Sequence, residues 1–306
     1  MNILITGACG HIGSYLIENL HKIKKVKKAI LVDNLKSNRY NSLFNVKKNN
    51  VIFYLRDLNN INSLNEFKNI DIVFHFASMT NAEKSFGKKK EMYKNNLNCL
   101  NTVIKLCKRT KARLFHISST SVYGKQVSLV DETCEKKYLK PQSPYAKIKL
   151  IEENILKKSK SLRFNTFRFG TIAGVSKGIR FHTAVNSFCL NAAIGETIKV
   201  YKTALHQYRP YLSLPDAFKL FKFCIDKDFF DNDIYNVVSN NFTVEQIINK
   251  IKKIKKKLKI TLVNSPIMNQ LSYHVDKKKL SKNGLFLNSN LDKEIIQTLG
   301  LFKGIK

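Results

Sequence analysis

The stretch Met1-Asn-Ile-Leu-Ile-Thr-Gly-Ala-Cys-Gly-His-Ile-Gly13 decides the fold class. Asn2-Ile3-Leu4-Ile5 is short, apolar and rich in strand-favouring residues, and it stops at Thr6-Gly7. Gly7, Gly10 and Gly13 follow, and then Ser14-Tyr-Leu-Ile-Glu-Asn-Leu20, whose apolar residues recur at helical spacing. Strand, glycine turn and helix form the context that a dinucleotide-binding fingerprint requires. One glycine permits the tight turn, one lets backbone N–H groups approach a pyrophosphate, and one lets the helix pack on the strand. The phosphates then sit at the positive end of the helix dipole. The spacing is G-x-x-G-x-x-G, a departure from the commoner G-x-G-x-x-G.

Working outward, Ala29-Ile30-Leu31-Val32 reads as a second strand closed by Asp33, about 20 residues past the glycines, where an acid binds the adenosine ribose hydroxyls. A carboxylate there repels a 2′-phosphate, so the cofactor reading is NAD rather than NADP, with Arg39 as an opposing charge nearby. The competing reading of Asp33 is a turn residue before Asn34. Further strands are predicted at Val51-Ile-Phe-Tyr-Leu55, Ile70-Asp-Ile-Val-Phe-His-Phe-Ala77, Arg113-Leu-Phe-His-Ile117 and 162–169. Helices are predicted at 92–109 and from Ser143-Pro144-Tyr145, with proline at a favoured early position. Strands alternating with helices imply a parallel sheet with right-handed crossovers and ligands at the carboxyl ends of the strands. Beyond Gly170 the pattern loosens into a loop and helix (178–195), a strand (198–201), a helix (216–226), a strand (235–238), a helix (244–258) and a strand (260–263). The expected class is α/β, a Rossmann-type doubly wound parallel sheet with a smaller C-terminal α/β substrate-binding portion. Residues 1–170 are expected to bind NAD and 171–306 mainly the substrate, with segments around 205–238 returning to the sheet.

With 306 residues the chain can bury a full core as one large domain, or as a large domain with a smaller partner. No apolar run reaches the roughly 18 to 20 residues that span a bilayer, and the glycine-rich start carrying Glu18 does not suit a signal peptide. A cytoplasmic location is expected. The six cysteines are scattered without a C-x-x-C pair, which argues for buried free thiols and against a zinc site or disulfide framework. The formal charge of +32 invites a nucleic-acid reading. Against it, the lysines are spread along the chain among many Asn, Ile and Phe with no Trp, as AT-rich codon usage produces. The densest runs, 22–28 and 250–259, fall near predicted helix ends, where solvated lysines are ordinary.

The chemistry rests on Ser119, Tyr145 and Lys149. Tyr145-Ala-Lys-Ile-Lys149 is Y-x-x-x-K on a predicted helix, so both side chains share a face. A phenol titrates near pH 10 and is a poor base at neutrality. A neighbouring ammonium and a positive nicotinamide ring favour phenolate, and a drop of about three units corresponds to roughly 4 kcal/mol. Ser119 can hydrogen-bond the reacting oxygen.

Taken together, these residues resemble the extended short-chain dehydrogenase/reductases, specifically the NAD-dependent nucleotide-sugar epimerase/dehydratase family, over nearly the whole chain. Thr6-Gly7-Ala-Cys-Gly10-His11-Ile12-Gly13 resembles its cofactor loop, and Val32-Asp33-Asn34-Leu35 its ribose-binding acid. Arg56-Asp57-Leu58 is similar to the adenine contact, Phe74-His-Phe76-Ala77 to the segment beside the cofactor ribose, and Asn96 to the asparagine of the next helix. Ser118-Ser119-Thr120-Ser-Val-Tyr-Gly124 resembles the serine motif, with Ser119 at the catalytic place. Arg209-Pro-Tyr-Leu-Ser-Leu-Pro-Asp216 resembles the arginine segment that contacts nucleotide phosphates. The resemblance also implies a homodimer built on the helices near 92–109 and 145–158.

The departures from the family pattern are informative. Family dehydratases carry an Asp-Glu pair after the catalytic hydroxyl residue, and the decarboxylases usually a glutamate in the second place. Thr120-Ser121 stand there instead, and neither is a general base near pH 7. Thr171 replaces the asparagine many epimerases have after the sixth strand, and Asn269-Gln-Leu-Ser-Tyr273 fills the region of the missing C-terminal arginine signature. His75 and His116 read as packing residues. His182 and Asn186 are candidates to line the sugar pocket, and Arg209, between Tyr208 and Tyr211, for bidentate phosphate contact. The expected function is 4-epimerisation of a nucleotide-diphosphate sugar. Tyr145 takes the proton of the sugar 4-hydroxyl while hydride passes from C4 to NAD and then returns to the other face. A 4-dehydrogenase or 4-keto-sugar reductase shares the site but stops halfway. A nucleic-acid-binding protein on an epimerase scaffold is the rival from another class.

Overall fold

The computed structural model describes residues 1–126, 129–264 and 273–304. Its elements run in chain order. The first half holds β1 (Asn2–Thr6), α1 (His11–Asn19), β2 (Lys28–Asp33), β3 (Val51–Leu55), β4 (Ile72–His75), α2 (Lys89–Thr110), β5 (Arg113–Ser119), β6 (Leu129–Val130), α3 (Pro144–Lys157) and β7 (Phe164–Phe169). There follow β8 (Thr171–Ala173), α4 (Ala184–Ala193), β9 (Ile198–Tyr201), β10 (Tyr208–Ser213), α5 (Leu214–Lys227) and β11 (Ile234–Val237). The chain continues with β12 (Asn240–Thr243), α6 (Val244–Ile254), β13 (Ile260–Val263), β14 (His274–Val275), α7 (Lys278–Lys282) and α8 (Asp292–Gly300).

Seven strands form one parallel sheet in the order β11-β7-β5-β4-β1-β2-β3. β4 and β7 are buried along their whole length, as strands covered on both faces must be. On one face α1 and α5 pack Leu16, Ile17, Leu220 and Phe221 against Ile3, Ile5, Phe74 and Phe115. On the other, α2 and α3 pack Leu100, Val103 and Leu156 against Leu4, Val73 and Leu114. A third core, under α4, α6 and α8, joins Val185, Ile247 and Ile295. The doubly wound sheet is the one read from the sequence.

Local chemistry sets the helix starts. Ser143 accepts from Ala146 N ahead of Pro144, Ser213 accepts from Asp216 N ahead of Pro215, and Thr243 with Gln246 forms a capping box. The helix predicted to 258 stops at Ile254, because Lys255 is extended (φ −112°) and a run of like charges opposes further turns. β11 joins the large sheet beside β7, whereas β10 lies in a separate three-stranded sheet between β12 and β8. Five cysteines are buried free thiols; Cys134 is only half-buried.

Candidate active site

A cavity of about 1040 Å³ opens along the carboxyl ends of β1, β2, β4 and β5 and reaches into the C-terminal half. The glycine loop forms its floor. Gly7 has φ +62°, and a Cβ there would lie 2.5 Å from Ala77 N, so backbone passes against backbone. Thr6 Oγ1 locks this crossing: it accepts from Phe76 N (3.2 Å) and Ala77 N (3.3 Å) and bonds His75 Nδ1 (2.8 Å). α1 begins directly after Gly10, and no side chain caps it. The N–H groups of its first turn are therefore left for an anion.

The acidic residues at the far end are oriented by their own neighbours. Asp33 accepts from Cys9 N (3.0 Å) and Leu35 N (2.8 Å), which fixes its carboxylate at the cavity wall. Asp57 accepts from Asn59 and from Lys36 Nζ at 2.8 Å. Partial burial pushes its pKa up, but these bonds outweigh that and hold it at about 2. Lys36 was not among the residues singled out from sequence.

Ser119, Tyr145 and Lys149 all line the cavity. Ser119 ends β5, and its Oγ lies 2.9 Å from Ser121 Oγ and accepts from Ser121 N. Lys149 is buried and bonds Glu152 Oε2 at 2.8 Å, and the same oxygen accepts from His116 Nε2 at 2.9 Å. Burial pushes the Lys149 pKa down, and the attraction of Glu152 more than reverses it. Burial lowers the pKa of His116, whose neutral ring donates to Glu152 while Nδ1 faces Thr166 Oγ1. One residue on, Glu153 takes a bidentate bond from Arg168 (3.0 and 2.7 Å) and one from Ser118 Oγ (2.6 Å), while Arg168 stacks over Tyr123. That buried brace ties α3 to β5 and β7 directly behind the site.

Of the residues expected from sequence, Gly7, Gly10, His11, Ile12, Gly13, Asp33, Asn34, Asp57, Leu58, Phe76, Ala77, Thr120, Thr171, His182 and Arg209 all line the cavity. Asn96 and Asn186 are not among the residues that line it. Asn96 is buried and braces a lining segment, accepting from Met79 N (2.8 Å) and donating to Met79 O (3.1 Å). Asn186 is fully buried, accepts from Gly174 N and donates to Arg180 O (3.0 Å). Each amide is consumed by backbone. His75 and His116 are buried, with rings stacked 6.4 Å apart; beyond packing, His75 lines the cavity and His116 bonds Glu152. Tyr273 lines the cavity; residues 269–272 lie outside the described residues.

Sequence reasoning missed the segment 174–180, which stitches the C-terminal half onto α1. His11 Nε2 bonds Gly174 O (2.9 Å), Ser176 Oγ donates to His11 O (2.9 Å), and Gly178 N donates to Ser14 Oγ (2.9 Å). A Cβ on Gly178 would lie 2.4 Å from Cys9 O. Its only sequence signal was a pair of glycines around Ser176.

Residues 3–237 match the family described as NAD dependent epimerase/dehydratase. The chain belongs to that family. It is 27% identical over 97% of its length to a trifunctional UDP-glucose 4,6-dehydratase/UDP-4-keto-6-deoxy-D-glucose 3,5-epimerase/UDP-4-keto-L-rhamnose-reductase of Arabidopsis thaliana, and covers 46% of that protein. The chain thus spans about half the length of its plant relatives. It is 26% identical to the ADP-L-glycero-D-manno-heptose-6-epimerase of Brachyspira hyodysenteriae, over 94% of each. Its fold superimposes on the Thermus thermophilus UDP-glucose 4-epimerase complex with NAD with TM-score 0.84, at 20% identity over 100% of both chains. NAD is the cofactor of this family. The cradle at Gly7, the uncapped start of α1 and the fixed Asp33 carboxylate fit it. No helix among the described residues is long and apolar enough to cross a membrane.

Proposed function

We propose that the chain is a nucleotide-sugar 4-epimerase. The observation that carries this reading is the set Ser119, Tyr145 and Lys149 lining one cavity, with alcohols at Thr120 and Ser121. The Thr120 hydroxyl is buried and donates to Phe169 O, and the Ser121 hydroxyl bonds Ser119. Neither is a base for pulling a carbon-bound proton at neutral pH. The glycine loop, Asp33 and Asp57 are the residues to hold NAD, which supplies the hydride acceptor when bound. Tyr145 takes the proton of the sugar 4-hydroxyl and later gives one back. Lys149, kept charged by Glu152, favours the phenolate at that moment and is placed to hold a ribose hydroxyl. Ser119 donates to the 4-oxygen. Arg209, half-buried and lining the cavity, binds substrate phosphate. In this reading residues 1–170 hold the cofactor, and 171–306 mainly the sugar nucleotide.

The test is incubation with NAD and a panel of nucleotide sugars, followed by NMR and mass spectrometry. The expected product is the C4 epimer with no net NADH release. A product lighter by one water at a comparable rate would replace the reading by a dehydratase. Stoichiometric NADH would replace it by a dehydrogenase. Tyr145→Phe is expected to lower turnover by about 100-fold or more with NAD affinity nearly unchanged. Retention of a tenth of the rate would remove Tyr145 as the base.

A further inference from the structure

The lysines are scattered along the chain, but the fold gathers many of them. In a parallel sheet every connection that feeds a strand arrives at the same end, here the end away from the cavity. Six of the seven strands are fed in this way. Each connection, or the helix end leading into it, brings a lysine with no ion pair among the described residues. They are Lys27 before β2, Lys48 before β3, Lys68 before β4, Lys111 before β5, Lys160 before β7 and Lys227 before β11. All are exposed except Lys48, which is half-buried and shares an open basin with Lys27 and Lys47. Lys25 Nζ donates to Asp226 O (2.7 Å), so the end of α5 meets the loop before β2 and the lysines cover a face rather than a line. The sheet alone makes that face about 29 Å wide, six strand spacings of roughly 4.8 Å.

The same connections supply no free acid to offset them. Segments 20–27, 34–50, 111–112 and 158–163 contain neither Asp nor Glu. The acids of 56–71 and 228–233 are all engaged within the protein. Lys36 pairs with Asp57, Arg56 with Glu66, and Asn2 N donates to Asp71. Asp228 pairs with Arg113 (2.9 Å) and Arg163 (3.2 Å), Asp231 accepts from Tyr235 OH, and Lys279 pairs with Asp233 (2.6 Å). The cavity end differs, because Asp33, Asp57, Glu83 and Glu91 stand among its cations.

We propose that this lysine face adsorbs to the surface of an anionic lipid bilayer. The unpaired cations are lysines, point charges that attract a diffuse negative surface without demanding fixed geometry. The arginines of this end, which would fork onto individual phosphates, are spent internally: Arg113 and Arg163 on Asp228, and Arg109 on the carbonyls of Leu64 and Phe67. Single-stranded nucleic acid also needs aromatic platforms on which bases stack, and the face offers no exposed Phe or Tyr among the described residues. Phe44, the exposed aromatic nearest in sequence, has its carbonyl bonded to Lys177 on the cavity side, and Phe229 packs on Phe223 and Tyr235. Adsorption by lysines requires no apolar segment. It leaves the cavity, at the opposite end of the sheet, facing solvent. The proposal is independent of the reaction proposed above.

The experiment is co-sedimentation of the full chain with vesicles of equal parts phosphatidylcholine and phosphatidylglycerol, and with vesicles of phosphatidylcholine alone, at low and physiological ionic strength. The natural protein is expected to bind the anionic vesicles only, and more weakly as salt screens the charges. Two quadruple variants are compared with it, their folding checked by circular dichroism. One carries Lys27→Gln, Lys48→Gln, Lys68→Gln and Lys160→Gln on the face. The other carries Lys252→Gln, Lys253→Gln, Lys256→Gln and Lys257→Gln in the densest lysine run of the sequence. Each lysine beside an anionic bilayer is worth roughly fivefold in affinity, so the face variant is expected to bind about 100-fold or more weakly. The other variant should be nearly unchanged. Should the face variant lose its fold, its four single substitutions are each expected to cost about fivefold. Absence of binding to anionic vesicles at low ionic strength would overturn the proposal, as would equal binding to neutral ones. Equal losses in the two variants would assign the binding to bulk charge and overturn the face. Displacement of the protein from anionic vesicles by an equal phosphate concentration of single-stranded RNA would replace the bilayer by nucleic acid.

Discussion

At Lys149 the charge that matters is set one turn further along α3. Glu152 is buried, holds Lys149 and His116 on one oxygen, and has its pKa lowered by them against the opposing push of burial. Replacing it by glutamine leaves Lys149 buried without a counter-charge, so the pKa of Lys149 falls from its raised position. The alkaline limb of the pH–kcat profile of Glu152→Gln is therefore expected to move to lower pH. A uniform loss at every pH would mean that Glu152 only packs. Glu153, next in the chain, is expected to behave differently. Arg168→Met strands a buried carboxylate and is expected to cost about 3 kcal/mol in denaturant unfolding, as broken buried pairs do. Tyr145 and Lys149 were legible in sequence because helical period alone puts them on one face. The division of labour between Glu152 and Glu153 was not. It depends on His116 and Arg168, which β5 and β7 bring from distant parts of the chain.

Among the elements, α1 carries two tasks, an anion-facing start and a seam to residues 174–180. Gly178→Ala places a methyl group against Cys9 O and must lift that seam. We expect about 1–3 kcal/mol of lost stability and a weakened affinity for NAD, measured by thermal shift with and without cofactor. Unchanged NAD affinity would separate the seam from the cofactor loop. The long buried strands and the capped helices could be read from sequence, since apolar runs, Ser-Pro starts and glycine turns state their own geometry. β8, β10 and β12 could not. β8 has three residues, β10 carries Pro210 just before its pairing with β8 begins, and β12 reads Asn-Asn-Phe-Thr. Tertiary neighbours, not local preference, make them strands. The backbone bonds of Asn96 and Asn186 were illegible for a related reason: a polar residue near a site looks the same in sequence whether it faces a ligand or satisfies backbone.

For the molecule as a whole, charge decides the expected behaviour in solution. Burial lowers the pKa of His11 and His75 from 6.5 to about 3. The unfolded chain takes up those protons below about pH 6.5 while the native protein does not, so stability falls as pH drops from about 6.5 towards 3, by roughly 1.4 kcal/mol per pH unit for each histidine. Urea midpoints at pH 7, 6 and 5 check this, and a flat series would refute it. The homodimer proposed from α2 and α3 must bring together exposed faces bearing Lys94, Lys105 and Lys108 on one helix and Lys147 and Lys157 on the other. Salt screens such charges. Light scattering is therefore expected to show a dimer that strengthens from low to physiological ionic strength, and a monomer throughout would refute the dimer. The seam through Ser14, Ser176 and Gly178 carries a thermodynamic obligation as well. One end of it touches the cofactor loop and the other presents Arg180 to the cavity, so occupancy of either place alters the ordering still to be done at the other. By reciprocity, whatever factor the dinucleotide adds to the affinity for the sugar nucleotide, the sugar nucleotide must return in equal measure.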